Sequence, residues 1–208
     1  TMNSYGLNVN YGYPISEYSS IGFGFGYQNV AITTNSSTGD EVLNFLSAHK
    51  SPYNNFPLRA NWAYSNFDRY IFPTSGYNQD LGIEVTAPLL SSSLGYYIAS
   101  FKNTWYYPLT KNAAFIFSPR SNFAYGNGYG DVSQLPFFKN FYAGGYSSVP
   151  GYEVNTLGPK DQNGNALGGN VLATGGADLI FPNFISENLR TALTFNLGNV
   201  YQDQLVVG

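Results

Sequence analysis

The sequence predicts an all-β fold: an antiparallel transmembrane β-barrel with long extracellular loops and one short helix in a loop. Three features predict this fold. Apolar and polar residues alternate in segment after segment, the polar positions carry few charges, and the connections between segments alternate in length. Aromatic residues make up 18% of the 208 residues and charged residues only 10%, against roughly 25% in ordinary soluble domains.

The first segment shows the alternation most clearly. One face carries Tyr5, Leu7, Val9, Tyr11 and Tyr13, and the other carries Ser4, Gly6, Asn8, Asn10 and Gly12. The same period of two predicts further strands at 21–27, 56–64, 77–87, 96–107, 113–125, 168–181 and 190–201. The chain therefore contains about eight strands, most of them long enough to cross a bilayer when tilted.

Alternation alone does not separate a membrane barrel from a soluble β-sandwich, because both structures place one apolar face in an apolar medium. Polar faces made of Gly, Asn, Ser and Thr favour the barrel, since soluble sheets protect their exposed faces with Lys and Glu. Connection length also favours it. The connections at 14–19, 67–76, 109–112 and 183–189 are short, those at 35–55 and 126–167 are long, and 88–94 is short for the long side.

Aromatic residues gather near the tight turns, where an interfacial girdle would place them. They are Tyr11, Tyr13, Phe67, Tyr70, Trp105, Tyr107 and Phe115.

The first long connection is predicted to contain a helix on the barrel rim. Thr38 and Glu41 have the spacing of a capping box, and apolar positions follow at helical spacing through Val42, Phe45, Leu46 and His49. His49 is the only histidine in the chain and is predicted to be a solvated loop residue. This single histidine argues against a catalytic triad and against a histidine-rich metal site.

Composition excludes several other classes of function. The nine Lys and Arg residues are widely scattered, which argues against binding nucleic acid. No apolar run approaches the roughly 20 residues of a membrane helix. The chain has no cysteine, so it has neither disulfides nor thiolate metal sites.

Two acidic patterns are open to a chemical interpretation. Asp80 and Glu84 share one strand face, as in a paired-carboxylate hydrolase, but no histidine or serine nucleophile motif accompanies them. Asp161 opens a stretch like a calcium loop, yet its twelfth position is Leu172, so a turn around Asn163-Gly164 is the better interpretation. We expect neither an enzyme, nor a cofactor, nor a metal site.

The most distinctive segment is the second long loop, which contains PFFKNFYAGGYSSVPGY at 136–152 and NTLGP at 155–159. It resembles the signature loop of the Omp85 family, which folds back into the barrel and places a Val-Arg-Gly-Tyr/Phe tip against the inner wall. The resemblance assigns this role to Gly144, Gly145, Val149, Pro150, Gly151 and Tyr152.

A second stretch is similar to a Leu-Asp-Arg-x-x-Phe-Pro-Thr-x-Gly turn in the assembly-factor branch of that family. The matching residues are Asp68, Arg69, Phe72, Pro73, Thr74 and Gly76. Segments 168–182 and 189–200 resemble the strands that follow the signature loop. The resemblance implies a 16-stranded barrel, of which residues 1–208 are a partial barrel domain with about the middle eight strands. POTRA domains and the first and last barrel strands are then absent from it.

The loop tip departs from the family pattern, because Pro150 stands where the family has arginine. That arginine meets acidic residues on the two following strands, and the matching inner-wall positions are Asp178 and Asn196. Proline has no donor for such a contact. We therefore expect packing of Tyr152 and backbone hydrogen bonds to hold the loop.

The resemblance implies a protein of the bacterial outer membrane that inserts and folds other β-barrel proteins without ATP or a cofactor. Its partners would be outer-membrane lipids, nascent outer-membrane β-barrel proteins, and accessory lipoproteins that bind outside this chain. Two alternatives stay open. One is a two-partner-secretion or other translocation pore of the same family, and the other is a passive porin.

Overall fold

Residues 1–34, 38–182 and 189–202 are described by a computed structural model, and they form one antiparallel sheet. The strands follow one another around the sheet in chain order, each bonded to its sequence neighbours. They are β1 (Met2–Pro14), β2 (Ser19–Ile32), β3 (Tyr53–Ser65), β4 (Gly76–Ala87), β5 (Tyr96–Pro108), β6 (Ile116–Gly128), β7 (Val171–Phe181) and β8 (Thr191–Tyr201). The helix α1 spans Asp40–Ala48, and a 3₁₀ turn spans Phe137–Lys139.

All eight predicted strands are present, but some of their ends differ from the prediction. β2 continues to Ile32 because it pairs with β1 from Ser20 to Ile32. The alternation fades after Tyr27 because Asn29 and Val30, on opposite faces, are both buried. β6 begins at Ile116, three residues later than predicted, since the preceding residues form a turn. The turn predicted at 183–189 lies almost wholly outside the described residues.

The two faces of the sheet have opposite character. We call outer the face that bears Leu7, Ile83 and Leu193, which are 79%, 47% and 67% exposed. The inner face is the one that bears Glu84 and Asp178. No second sheet covers the outer face in the described part of the chain, and the extensive contacts between strands all join neighbours in the sheet. This arrangement excludes the β-sandwich, in which those apolar rows would be packed together.

An aromatic belt lies on the outer face near the short connections. The ring centroids are 6.2 Å apart for Trp62 and Tyr64, 5.0 Å for Tyr64 and Tyr77, and 4.8 Å for Tyr77 and Trp105. Rings with one polar edge favour the membrane interface. The prediction was wrong for Phe67, which packs against Tyr106 on the inner face at 5.3 Å.

The apolar core lies at the opposite end, beneath the long connections. Its buried members are Val30, Tyr53, Leu94, Tyr96, Val132 and Leu135, with Phe45 of α1 packed against them. In the described ranges, no helix is long and apolar enough to cross a membrane. Loops that share a core are held in place by burial of apolar surface.

Two details of the rim helix differ from the prediction. α1 begins at Asp40 with Gly39 in the N-cap position and no side-chain capping bond, so the cap falls one residue after Thr38. His49 is half-buried, and its Nε2 lies 3.0 Å from the carbonyl oxygen of Asp131. It therefore joins the first long connection to the second instead of facing solvent alone.

A lysine placed on each face in turn tests the assignment of the faces. We expect Ile83→Lys to lower the free energy of unfolding by about 2–4 kcal/mol, because it places a charge among acyl chains. The matched control is Asn61→Lys on the exposed inner face of β3, where Gly22 and Gly82 are its cross-strand neighbours. It should cost less than about 1 kcal/mol. Urea unfolding of the full-length parent protein in lipid vesicles measures both, and equal costs would contradict the assignment.

Candidate functional site

The second long loop, between β6 and β7, folds back along the inner face of the sheet. Its two halves pair with each other through the bridges Phe141–Gly169, Ala143–Leu157 and Gly145–Val149. Ala143 and Leu157 pack against apolar residues of three neighbouring strands, namely Ala124, Leu172 and Val200. These three share the inner face with the polar residues, so the loop lies inside the curve of the sheet.

A glycine pair makes the return of the loop sterically feasible. Gly144 and Gly145 have φ of +114° and +87°, in the left-handed region that side chains disfavour. A Cβ atom on Gly144 would lie 2.3 Å from the carbonyl oxygen of Glu153. Ser148 locks this turn, since its hydroxyl accepts from the Gly144 amide and donates to the Gly144 carbonyl.

The loop tip is only partly held by its own contacts. Val149 is 2% exposed, whereas Tyr152 is 57% exposed, and Pro150 and Gly151 are exposed. Tyr152 is not buried among the described residues, so the packing expected of it stays a prediction. The expected backbone bond is present, because the Gly145 amide donates to the Tyr152 carbonyl at 3.0 Å.

A cluster of charges around Glu84 fastens the start of the loop to the inner wall. Lys139 donates to Oε1 of Glu84 at 2.9 Å, and Arg59 donates to Oε2 at 2.6 Å. The Tyr96 hydroxyl also donates to Oε1 at 3.0 Å, and Arg59 reaches on to Asn8 of β1. The side chains of Glu84 and Lys139 are 16% and 18% exposed, so water screens their attraction only in part.

The structure gives Glu84 an architectural role. Both of its oxygens are occupied by cations, and Asp80, the other acid on the inner side of β4, stands opposite Lys102 of β5. A carboxylate bonded to two cations is a poor general acid, because both cations stabilise its ionised form. The arrangement matches a structural tie between the wall and the loop.

A second cluster links the predicted inner-wall partners, Asp178 and Asn196. Arg120 of β6 donates to Oδ2 of Asp178 and to Oδ1 of Asn196, both at 2.5 Å. The described loop residues donate no hydrogen bond to Asp178, whose Oδ1 is buried without a partner among the described residues. The cation that pairs with Asp178 therefore comes from β6 of the inner wall. The loop tip has no part in this contact.

Space for this cluster comes from a glycine. Gly176 of β7 stands between Arg120 and Asn196 in the sheet register. A Cβ atom at this position would lie 2.4 Å from Oδ1 of Asn196 and 3.1 Å from Nη2 of Arg120. The guanidinium crosses β7 because this position lacks a side chain.

The turn between β3 and β4 is organised by the Asp68 carboxylate. Its Oδ1 accepts from the amides of Thr74 and Ser75, and its Oδ2 accepts from the Thr74 hydroxyl and from Arg69. Burial raises the pKa of Asp68, but the hydrogen bonds from Thr74 and Ser75 outweigh this effect and hold it below its ordinary value. Gly76 ends the turn with φ of +102°.

The stretch that begins at Asp161 forms a turn. Oδ1 of Asp161 accepts from the amides of Asn163 and Asn165 at 2.8 Å each, and Gly164 has φ of +83°. These hydrogen bonds, with the Asn165 side chain as the largest contribution, lower the pKa of Asp161. In the described ranges, no group of three or more His, Cys, Asp or Glu could hold a metal ion.

Sequence reasoning missed the cations that organise the inner face. Arg59, Arg120, Lys139 and Arg190 carry no motif of their own. Lys139 and Arg190 lie outside the strands, so only the folded structure shows their contacts. Strand register reveals the other two cations, for example in the pairing of Arg59 with Glu84. An alternation rule that marked every charged inner-face residue and its cross-strand neighbour would have found that pair.

An antiparallel sheet with an apolar outer face, an aromatic belt and a loop folded against a polar inner face defines an outer-membrane β-barrel. Residues 1–205 match the Omp85 superfamily domain. The chain belongs to the Omp85 superfamily, and its homologues are proteins of the outer membrane of Gram-negative bacteria.

Two relatives of known identity are similar to this chain. The outer membrane protein assembly factor BamA of Neisseria meningitidis serogroup B is 31% identical over 198 residues, which cover 89% of this chain and 24% of that protein. The crystal structure of BamA from Haemophilus ducreyi lacking POTRA domains 1–3 matches with a TM-score of 0.87 at 25% identity. It covers 97% of this chain and 42% of that one. The chain thus spans about a quarter of the curated relative's length.

Removal of the Glu84 tie should loosen the loop. We expect Lys139→Ala in the full-length parent protein to lower the free energy of unfolding by about 1–2 kcal/mol, since Glu84 loses one of two charged donors. Glu84→Ala should cost more, because Arg59 and Lys139 both lose their acceptor. The control is Lys102→Ala, an exposed inner-face lysine without an ion pair among the described residues. Urea unfolding measures all three, and a Lys139→Ala cost no larger than the control contradicts the tie.

Because Arg120 of β6 already pairs with Asp178, an arginine at position 150 of the loop tip should add little stability. Arg120→Ala should lower the free energy of unfolding by about 2–3 kcal/mol, because it leaves the half-buried Asp178 without its cation. Pro150→Arg should change it by less than about 0.5 kcal/mol, as expected of a substitution at an exposed position. A clear gain from Pro150→Arg in thermal or urea unfolding would mean that Asp178 still lacks a sufficient partner.

Proposed function

We propose that this chain is the central part of the barrel domain of an outer-membrane protein assembly factor, which inserts and folds other β-barrel proteins. On this proposal, residues 1–208 supply about the middle eight strands of a 16-stranded barrel. The 31% identity to BamA of Neisseria meningitidis over 198 residues supports the assignment. The fold similarity over 97% of the chain supports the placement of these strands within such a barrel.

The observation that carries the proposal is the attachment of the second long loop to the inner wall. The Glu84 cluster fastens the start of this loop, and Ala143 and Leu157, which pack against wall residues, fasten its return. A passive porin needs a water-filled passage along its inner wall. A loop held there by ion pairs and apolar packing narrows that passage, which favours an assembly factor over a porin.

The proposed activity requires neither ATP nor a cofactor. A client strand in the bilayer has backbone N–H and C=O groups that lipid cannot satisfy. Pairing with an exposed barrel strand supplies those hydrogen bonds, so β-augmentation itself drives insertion. The partners on this proposal are outer-membrane lipids against the apolar outer face, nascent β-barrel proteins, and accessory lipoproteins bound outside this chain. The chain is not an enzyme on this proposal.

The second candidate is a translocation pore of the same superfamily, such as a two-partner-secretion transporter. The inner loop alone does not separate it from an assembly factor, because the resemblance gives both the same loop. The turn built on Asp68, Thr74 and Gly76 favours the assembly factor, since its hydrogen bonds use the residues by which it resembles that branch.

Depletion of the parent protein distinguishes these functions. We expect outer-membrane β-barrel proteins of unrelated function to fall together in quantitative proteomics of the outer membrane, with unfolded precursors in the periplasm. Re-expression of the wild-type protein should restore them, and an equally expressed Gly144→Val variant should not, because its backbone cannot make the return of the loop. Loss of a single secreted protein would favour the translocation pore, and no loss would favour the porin.

A further inference from the structure

We propose that Arg190 is a clasp that holds the β3–β4 turn across the lumen at the short-connection end, where the turn restricts the passage of solutes. This inference depends on the barrel fold and the outer-membrane location, and it does not require the assembly function. It assigns a positioning role to Arg190 and a gating role to residues 66–75.

The first observation is a contact between parts of the sheet that are far apart. Arg190 directly precedes β8, and its Nη2 donates to the carbonyl oxygens of Phe72 and Pro73, both at 2.8 Å. Three strands, β5, β6 and β7, separate β4 from β8 in the sheet. A turn that merely extended from the ends of β3 and β4 would not meet Arg190. The turn therefore bends inward and crosses the inner side of these strands.

Aromatic stacking fixes the path of the turn. The Arg190 guanidinium lies 5.0 Å from the centre of the Phe72 ring and 5.7 Å from that of Tyr106. Tyr106 faces inward, since its neighbours Trp105 and Tyr107 are exposed on the outer face. Phe67 packs edge-on against Tyr106 at 5.3 Å. Both ends of the turn are thus attached to the inner face, one through Phe67 and the other through Phe72.

The backbone of the turn is shaped to present its carbonyls to a cation. Phe72 has φ of 54°, a left-handed conformation that a bulky residue adopts only when its surroundings stabilise it. Asp68 holds the following amides of Thr74 and Ser75, so the chain reverses immediately after the two carbonyls that Arg190 binds. A guanidinium suits this cradle because it combines several N–H donors with a flat face for aromatic rings.

The size and exposure of the turn match a gate. Among the described short connections, residues 66–75 form a longer one than 15–18 and 109–115. Tyr70 and Ile71 are 100% and 70% exposed, so large side chains project from the crossing segment into open space. An inward turn with projecting side chains reduces the cross-section of a water-filled opening.

Conductance of the full-length parent protein in planar lipid bilayers tests the clasp. We expect Arg190→Ala to raise the mean single-channel conductance several-fold and to sensitise cells to a large hydrophilic antibiotic. Arg190→Lys should fall between wild type and Arg190→Ala, because an ammonium keeps the cation–π contact but loses the fork geometry. The matched control is Lys111→Ala, since Lys111 lies in the short connection 109–115 at the same end of the sheet, is exposed, and has no ion pair among the described residues. It should conduct like wild type.

A folded Arg190→Ala variant with wild-type conductance overturns the proposal, as does a Lys111→Ala variant that conducts as much as Arg190→Ala. Heat-modifiable electrophoresis verifies folding. If Arg190→Ala does not fold, the double variant Arg190→Cys/Pro73→Cys tests the clasp instead. Because this chain has no cysteine of its own, a cross-linker reacts only with the introduced pair within it. Joined by a short bismaleimide, the pair should conduct like wild type, and unjoined it should conduct more. Equal conductance in both states overturns the clasp.

Discussion

The structure depends on one constraint: each strand has lipid on one side and water on the other. No second sheet covers a misplaced side chain in the described part of the chain. This constraint explains why apolar side chains stay exposed on the outer face, with Leu7 at 79% and Leu193 at 67%. It also explains the scarcity of charge, because a charged residue is tolerated only at every second position of a strand. The 10% charged residues are thus a consequence of geometry.

Confinement of charge to the inner face makes each charged group more consequential. Opposite charges that share a half-dry wall attract each other more strongly than charges on a soluble surface. The chain uses this effect to tie its loop to strands far away in sequence, through Glu84 with Lys139. The same attraction helps Arg120 of β6 to join β7 and β8, through Asp178 and Asn196. Backbone hydrogen bonds between neighbouring strands hold the sheet together. The ion pair of Lys139 with Glu84 holds the loop on its inner face.

The sequence was sufficient for the sheet because strand register repeats a local rule. A period of two marks β1 without knowledge of any other strand, and the same rule recovers the remaining seven. The rule fails where both faces are buried, as at Asn29 and Val30, since burial removes the contrast that it needs. It fails also at Phe67, where the chain has already left the strand and bends inward.

The inner contacts were less predictable because they join residues across several strands. Arg120 and Asp178 are 58 positions apart, and nothing in either local sequence marks the pair. The resemblance drew attention to Asp178 and Asn196, but with Pro150 at the family's arginine position it named no cation for them. Only the register of β6, β7 and β8, together with the missing side chain at Gly176, brings the guanidinium to both.

The source of that cation changes what movement of the loop would cost. If the loop tip supplied the arginine, withdrawing the loop would leave Asp178 ionised and unpaired in a half-dry wall, at a cost of several kcal/mol. With Arg120 on the wall, Asp178 keeps its partner wherever the tip lies. The electrostatic cost of moving the loop then falls on Lys139 and Glu84 near its start. A tip with exposed Pro150 and Tyr152 is thereby uncoupled from the wall, while the base of the loop stays fixed.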